Sequence, residues 1–218
     1  LKGAGLQAAT TALQIPSMHL LLCGHGYLGE AISRDFLTAG WSVTAVSKTA
    51  RQDPTPDLDE READLSSMES IQQLASSSPK PDFIVHCAAS GRGGPDAYRA
   101  VYQNGCRHLT KTFPGTPLLF TSSTSVYAQT DGSIVTEQSP ANPDRETGQI
   151  LRESEQLVLD AQGIVFRLAG IYGPHRSAIL KKFLAGGSTM EEDGRRIINQ
   201  IHRDDAATAV LYAATKPL

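Results

Sequence analysis

Met18-His19-Leu20-Leu21-Leu22-Cys23-Gly24-His25-Gly26-Tyr27-Leu28-Gly29 joins a mostly apolar run to a glycine turn, and then to a segment, Tyr27 to Ala39, with helical periodicity. A short apolar run without polar alternation reads as a strand buried on both faces. A Gly-x-Gly-x-x-Gly turn that leaves such a strand and opens a helix presents backbone amides at the helix N-terminus, where a diphosphate can be met. Gly24 permits the sharp turn, Gly26 lets the backbone approach a phosphate, and Gly29 lets the helix lie close to the strand. The alternative is a glycine turn with no ligand. The order strand, loop, helix argues against it.

The same alternation continues along the chain. Strand patterns fall at Ser42 to Ser47, Asp82 to Cys87, Pro117 to Ser122 and Ile164 to Leu168. Helical patterns fall at Leu65 to Ala75, Asp96 to Thr112 and Gly148 to Ala161. This predicts an α/β protein of Rossmann type, a doubly wound parallel sheet with helices on both faces. Arg51 to Asp59 and Thr130 to Glu146, rich in Pro and polar residues, read as surface connections. Residues 1–17 read as an appendage, with Met18 a candidate original start. Residues 18–218 read as the dinucleotide-binding domain, with 130–147 and 171–200 contributing to a small or truncated C-terminal substrate lobe.

With 218 residues and a formal charge of −3, the chain has room for one such domain and carries no basic block. Nucleic acid and anionic membrane are therefore not the expected partners, and a small molecule is. No apolar run approaches the roughly 18 residues of a membrane span, and no secretion signal opens the chain. The three cysteines, Cys23, Cys87 and Cys106, are too widely spaced for a disulfide framework or a metal knuckle. A cytoplasmic setting without a metal is expected, with Cys23 and Cys87 as buried fillers.

Beyond the second strand an NAD-selective site offers a carboxylate to the ribose hydroxyls, whereas this chain has Ser47 and Lys48, with Arg51 nearby. A hydroxyl and cations suit a 2′-phosphate, so NADP is favoured over NAD. Asp64-Leu65, taken to follow a third strand, either lines an adenine pocket or, through Asp64, caps the next helix. Cys87-Ala88-Ala89-Ser90 ends the fourth strand with small side chains that admit a ribose. His86 reads as a packed strand residue.

These residues, with Thr121-Ser122-Ser123-Thr124-Ser125-Val126-Tyr127, Arg167-Leu168-Ala169-Gly170-Ile171-Tyr172-Gly173-Pro174 and Ile201-His202-Arg203-Asp204-Asp205, resemble the extended and atypical branch of the short-chain dehydrogenase/reductase family. That group includes NAD-dependent epimerases and dehydratases. The resemblance spans Met18 to Ala214. It implies that Ser123 hydrogen-bonds a substrate oxygen and that Leu168, Ala169, Gly170 and Ile171 border the nicotinamide. It also implies a Tyr-x-x-x-Lys pair whose Lys lowers the Tyr pKa. Anchored on Gly148 and Glu155, those two places hold Thr147 and Leu151. Thr is far too weak an acid to stand in for the phenol. Tyr127 is the nearest substitute donor, with Tyr98 and Tyr102 as further candidates. Tyr212-Ala213-Ala214-Thr215-Lys216 has the spacing but falls in the last helix and reads as coincidence.

Other features have plainer readings. In the His202 to Asp205 block, Asp204 or Asp205 is the expected helix cap. Gly91-Arg92-Gly93-Gly94 is either a loop that places Arg92 over an anionic substrate or a simple connector, and Tyr172 is either a cleft residue or a packed aromatic. Two functions stay open. One is an NADP-dependent oxidoreductase of epimerase/dehydratase type, acting on a sugar nucleotide or another carbonyl or hydroxyl compound and pairing as a homodimer. The other is a non-catalytic NADP(H)-binding sensor or scaffold. A serine hydrolase is disfavoured, because no Gly-x-Ser-x-Gly elbow is present.

Overall fold

The structure, a computed structural model, describes residues 18–49, 55, 58–91, 93–186 and 197–216. The stretch 1–17, Arg51, Arg92 and the pair Pro217-Leu218 lie outside the described residues.

Strand β1 (His19–Cys23) is buried throughout. Its alternate residues feed two cores, Leu21 and Cys23 on one face and Leu20 and Leu22 on the other. Helix α1 (Tyr27–Thr38) follows, then β2 (Ser42–Ser47), β3 (Asp59–Glu62), α2 (Met68–Ser77) and β4 (Phe83–His86). After α3 (Pro95–Tyr98), a π-helical segment (Arg99–Asn104) and α4 (Gly105–Thr112) come β5 (Leu118–Ser123), α5 (Glu146–Asp160) and β6 (Ile164–Leu168). The last elements are β7 (Gly170–Tyr172), α6 (Ala178–Leu184), β8 (Gln200–His202) and α7 (Arg203–Thr215).

The main sheet has six strands in the order β3-β2-β1-β4-β5-β6, and each neighbouring pair is parallel. This is the expected Rossmann-type α/β architecture. Helices α1 and α7 cover one face, where Ile32 and Phe36 meet Ala206 and Val210. Helices α2, α4 and α5 cover the other, where Ile71, Leu109 and Val158 pack on Leu21 and Phe120. Each large apolar side chain so buried contributes about 1.5–3 kcal/mol. Between β1 and β4 the winding reverses, so the chain leaves those strands toward helices on opposite faces of the sheet, α1 and α4, and a crevice opens at their C-terminal ends.

Three local features differ from the sequence pattern. Strand β3 is Asp59-Glu60-Arg61-Glu62, with no apolar periodicity to mark it. It is an edge strand held by polar links: Thr44 Oγ donates to Asp59 at 2.8 Å, and Arg61 donates to Asp59 at 2.9 Å and to the Ser77 carbonyl at 2.6 Å. The single helix expected over 96–112 is interrupted by the π-helical segment, which holds the Val101 carbonyl 3.0 Å from His86 Nε2. Gly105 then passes so close that a Cβ there would stand 2.8 Å from His86 Nε2. Finally, β7 pairs in parallel with β8 as a separate two-stranded sheet within the block that ends in the last helix.

The last-helix cap is also corrected. His202 Nδ1 accepts the Asp204 N–H at 3.3 Å, because α7 begins at Arg203 and the capping position falls on the end of β8. Asp204 lies in the first turn, where its carboxylate favours the helix dipole. Residues 130–145 form an exposed connection, and α5 begins at Glu146. No helix among the described residues is long and apolar enough to cross a membrane.

Candidate functional site

A cleft of about 700 Å³ opens at the crevice between β1 and β4, within the usual size range for small-molecule sites. Its floor is the glycine turn. Gly24 stands at φ +111, and a Cβ there would lie 2.3 Å from Ala88 N, so the loops after β1 and β4 touch where no side chain fits. The Cys87 thiol donates to the Gly24 carbonyl at 3.1 Å across this contact. Burial pushes that thiol up to about 12, which leaves it a packing group and not a nucleophile.

Gly26 faces open space, and no side chain caps α1, so the first N–H groups of the helix remain for a ligand. Tyr27 and Leu28 line the cleft, whereas Gly29 packs behind it, with a Cβ position 2.0 Å from the Gly24 carbonyl. His25, between the first two glycines, turns inward. Its Nε2 lies 3.1 Å from Ser33 Oγ and its Nδ1 3.0 Å from Glu60 Oε1, tying the loop to α1 and β3.

On the β2 side Ser47, Lys48, Asp64 and Leu65 line the cleft. Lys48 Nζ sits 2.9 Å from Asp64 Oδ2, and Asp64 accepts the Ser66 N–H at 2.9 Å and the Ser66 hydroxyl at 2.6 Å. Lys48 and Ser66 together hold the Asp64 carboxyl down at about 2. Asp64 is not the helix cap. Ser67, adjacent to α2, accepts the Ser70 N–H at 3.2 Å and takes that place.

At the far end the wall is formed by Cys87, Ala88, Ala89, Ser123 and the stretch Leu168, Ala169, Gly170 and Ile171. Ser123 Oγ accepts the Ser125 N–H at 3.1 Å, capping the turn Thr124–Val126, and its own O–H has no acceptor among the described residues, so it can donate into the cleft. Ser122 donates to Glu155 at 2.6 Å. Glu155 is fully buried and also takes Arg152 and, at 2.8 Å, Arg167. Burial alone would push the Glu155 carboxyl up, but hydrogen bonds from Arg167, Ser122 and Arg152 outweigh it and hold the group below the ordinary carboxylate range. Leu151 contributes an apolar patch to the wall, and Thr147 does not line it.

Tyr127, expected as the nearest proton donor, is not on the cleft wall. The turn at Thr124–Val126 carries it aside, where its hydroxyl accepts from Arg167 at 2.7 Å and donates to the Thr136 carbonyl at 3.1 Å. The phenols on the wall are Tyr27, whose hydroxyl is engaged with the Pro174 carbonyl at the glycine-turn end, and Tyr98 and Tyr102. Tyr102 accepts the Ser90 N–H at 3.2 Å, whereas the Tyr98 hydroxyl has no partner among the described residues. Burial, with Tyr102 beside it, raises the Tyr98 phenol. His86 is fully buried beneath, and burial drives it down to about 4, so it is neutral packing.

Other residues fall away from the cleft. Tyr172 is partly exposed and meets His202 edge-on at 5.2 Å, and Tyr212 is an exposed residue of α7 with Lys216 over its ring. Arg176, absent from the sequence reading, lines the cleft. No group of three or more metal-ligating side chains occurs among the described residues.

The model of the NAD dependent epimerase/dehydratase family matches residues 20–218. Protein YeeZ of Escherichia coli K12 is 28% identical over 208 residues, which cover 90% of this chain and 73% of YeeZ. A protein of Methylobacillus flagellatus assigned to the NAD-dependent epimerases/dehydratases superposes with a TM-score of 0.74 at 25% identity, over 90% of this chain and 70% of that one. The Bordetella bronchiseptica enzyme WbmG, solved with NAD and UDP, gives a TM-score of 0.76 at 19% identity, over 92% of this chain and 69% of that one.

Proposed function

The chain belongs to the NAD dependent epimerase/dehydratase family, and from that membership we propose that its cleft holds a nicotinamide dinucleotide, NADP(H) ahead of NAD(H), and serves an atypical epimerase/dehydratase-like oxidoreductase. The observation that carries this reading is the open, uncapped start of α1, facing a cleft of about 700 Å³ at the point where the sheet reverses. A cradle with empty space at Gly26 and free helical amides fits a diphosphate.

In this reading Gly24, Gly26, Tyr27 and Leu28 hold the diphosphate, with Gly29 packing behind them, and Asp64 and Leu65 border the adenine. Cys87, Ala88 and Ala89 admit the second ribose, and Leu168 to Ile171 wall the nicotinamide. Ser47 and Lys48 favour a 2′-phosphate, since no carboxylate ends β2. Asp64, already 2.9 Å from Lys48, competes for the same cation and narrows the preference. Arg51 belongs to this proposal by its place in the sequence alone. The bound dinucleotide supplies hydride transfer.

The substrate class is a small carbonyl or hydroxyl compound, with a nucleoside-diphosphate sugar suggested by the UDP held in WbmG. Ser123, with a free O–H, orients the substrate oxygen. Tyr98 is the phenol placed to exchange its proton, in preference to Tyr127. Leu151 brings no charge to the place where the family carries a Lys. That favours one alternative, a non-catalytic dinucleotide sensor or scaffold. Three cysteines free of disulfides accord with a cytoplasmic setting.

The test is a fluorescence titration with NADPH and NADH, followed by a turnover screen over carbonyl compounds and sugar nucleotides. Tight NADPH binding and a turnover that falls about 100-fold in Ser123→Ala, the scale expected for a lost oxyanion donor, support the enzyme. Binding without turnover selects the sensor. No binding of either nucleotide at millimolar concentration ends the reading.

A further inference from the structure

Arg176 sits in a tight turn. Gly173 N–H donates to the Arg176 carbonyl and Arg176 N–H to the Gly173 carbonyl, each at 3.0 Å. Pro174 sets the first corner and His175, at φ +60, the second, the pattern of a type II turn. Tyr27, the first residue of α1, donates its hydroxyl to the Pro174 carbonyl at 3.1 Å, clipping the turn to the helix start. Gly173 is pressed against this clip, since a Cβ there would stand 2.8 Å from the Tyr27 hydroxyl. The position of Arg176 is thus built from the same helix terminus that ends the glycine turn.

The charges there are unbalanced. The guanidinium groups of Arg176 and Arg203 both lie over the Tyr27 ring, 5.0 and 4.9 Å from its centroid. Arg203 has a carboxylate, Asp204, at 3.0 Å. Arg176 has none among the described residues, although it lines the cleft. Two like charges on one ring, one without a counter-ion, beside helical amides that no side chain caps, leave an excess of positive potential at one end of the cleft. An anion with more than one charge relieves it.

We infer that Arg176 binds the diphosphate of the dinucleotide, resting on Tyr27 when the cleft is free and turning onto the phosphates when it is filled. This rests on the nucleotide-binding function proposed above. A diphosphate also occurs in a nucleoside-diphosphate substrate, but the attachment of the turn to Tyr27 places Arg176 beside the glycine turn, and so with the dinucleotide.

The experiment titrates wild type, Arg176→Gln and Arg176→Lys with NADPH, UDP and adenosine 2′-monophosphate, which lacks a diphosphate. Expected is a loss of about tenfold in NADPH affinity in Arg176→Gln, or about 1.4 kcal/mol, with partial recovery in Arg176→Lys. The deficit should shrink at high salt, and adenosine 2′-monophosphate should bind all three proteins alike. If wild type binds NADPH and Arg176→Gln binds it equally well, the inference alone fails. If the variant loses UDP but not NADPH, the dinucleotide assignment is overturned in favour of the substrate. If wild type binds no nucleotide, the function proposed above fails and takes the inference with it.

Discussion

Gly24 and Gly26 are separated by one residue and constrained by different things. At Gly24 a methyl group meets Ala88 backbone 2.3 Å away, on a backbone at φ +111. Neither the loop after β4 nor the turn can yield without opening the strand contact. Gly24→Ala is therefore expected to lower stability by about 3 kcal/mol or more, read as a fall in the urea midpoint. At Gly26 nothing lies within 4 Å. Gly26→Ala should leave the midpoint within the equivalent of about 1 kcal/mol while putting a methyl where a phosphate would approach, so NADPH affinity should fall and the fold should not. Equal losses in both variants would mean that the turn is structural throughout and the cradle is not a ligand site. This part of the site was legible in the sequence because its chemistry is tied to a fixed step after a strand. Ser47, Lys48 and the small residues 87–89 shared that advantage. Arg176 was not legible, because its approach depends on a turn whose partner, Tyr27, lies 147 residues from Pro174.

Elements β5, α5 and β6 are joined by one buried carboxylate. Glu155 on α5 takes the Ser122 hydroxyl from β5 and the Arg167 guanidinium from β6, and Ser122 is in turn on the cleft wall beside Ser123. Glu155→Leu strands two arginines and a hydroxyl, so a loss of about 3–5 kcal/mol is expected. The double variant Glu155→Leu with Arg167→Leu should be less damaged than the single, because the more buried of the two uncompensated cations goes too. Urea denaturation of both checks this, and a double variant worse than the single would mean that the ion pair is not what joins the elements. Elsewhere at this scale, legibility followed hydrophobic period. β1, β2 and α1 were read from it, while β3 had none to read. The cap on α7 was misassigned because Asp204 and Asp205 are better capping residues than His202. What decided between them was where β8 ends, a pairing with β7 across the chain. The π-helical segment escaped for the same reason, since it answers to His86 and not to its own sequence.

For the molecule as a whole, the buried groups that titrate on the acid side, His19, His86 and Glu155, are all shifted the same way. His86 is held at about 4 against an ordinary value of 6.5, burial being the main cause, and burial likewise lowers His19. Hydrogen bonds lower Glu155 against the opposing effect of burial. A base whose folded pKa is depressed stays neutral in the native state while the unfolded chain takes up a proton. Stability is then full above about 6.5 and is lost as pH falls toward the folded value. A carboxyl with a depressed folded pKa likewise contributes above its unfolded value and loses that contribution as pH falls further. The two losses follow in sequence, histidines first and Glu155 below them. For His86 alone, the drop from 6.5 to about 4 amounts to roughly 3 kcal/mol. The urea midpoint should therefore decline steadily from pH 7 to pH 4 with no acid-side maximum. His86→Leu should be less stable at pH 7, having lost the bond to Val101, yet show a flatter decline over that interval. If wild type keeps its midpoint down to pH 4.5, His86 is not held neutral by its burial beneath the π-helical segment Arg99–Asn104.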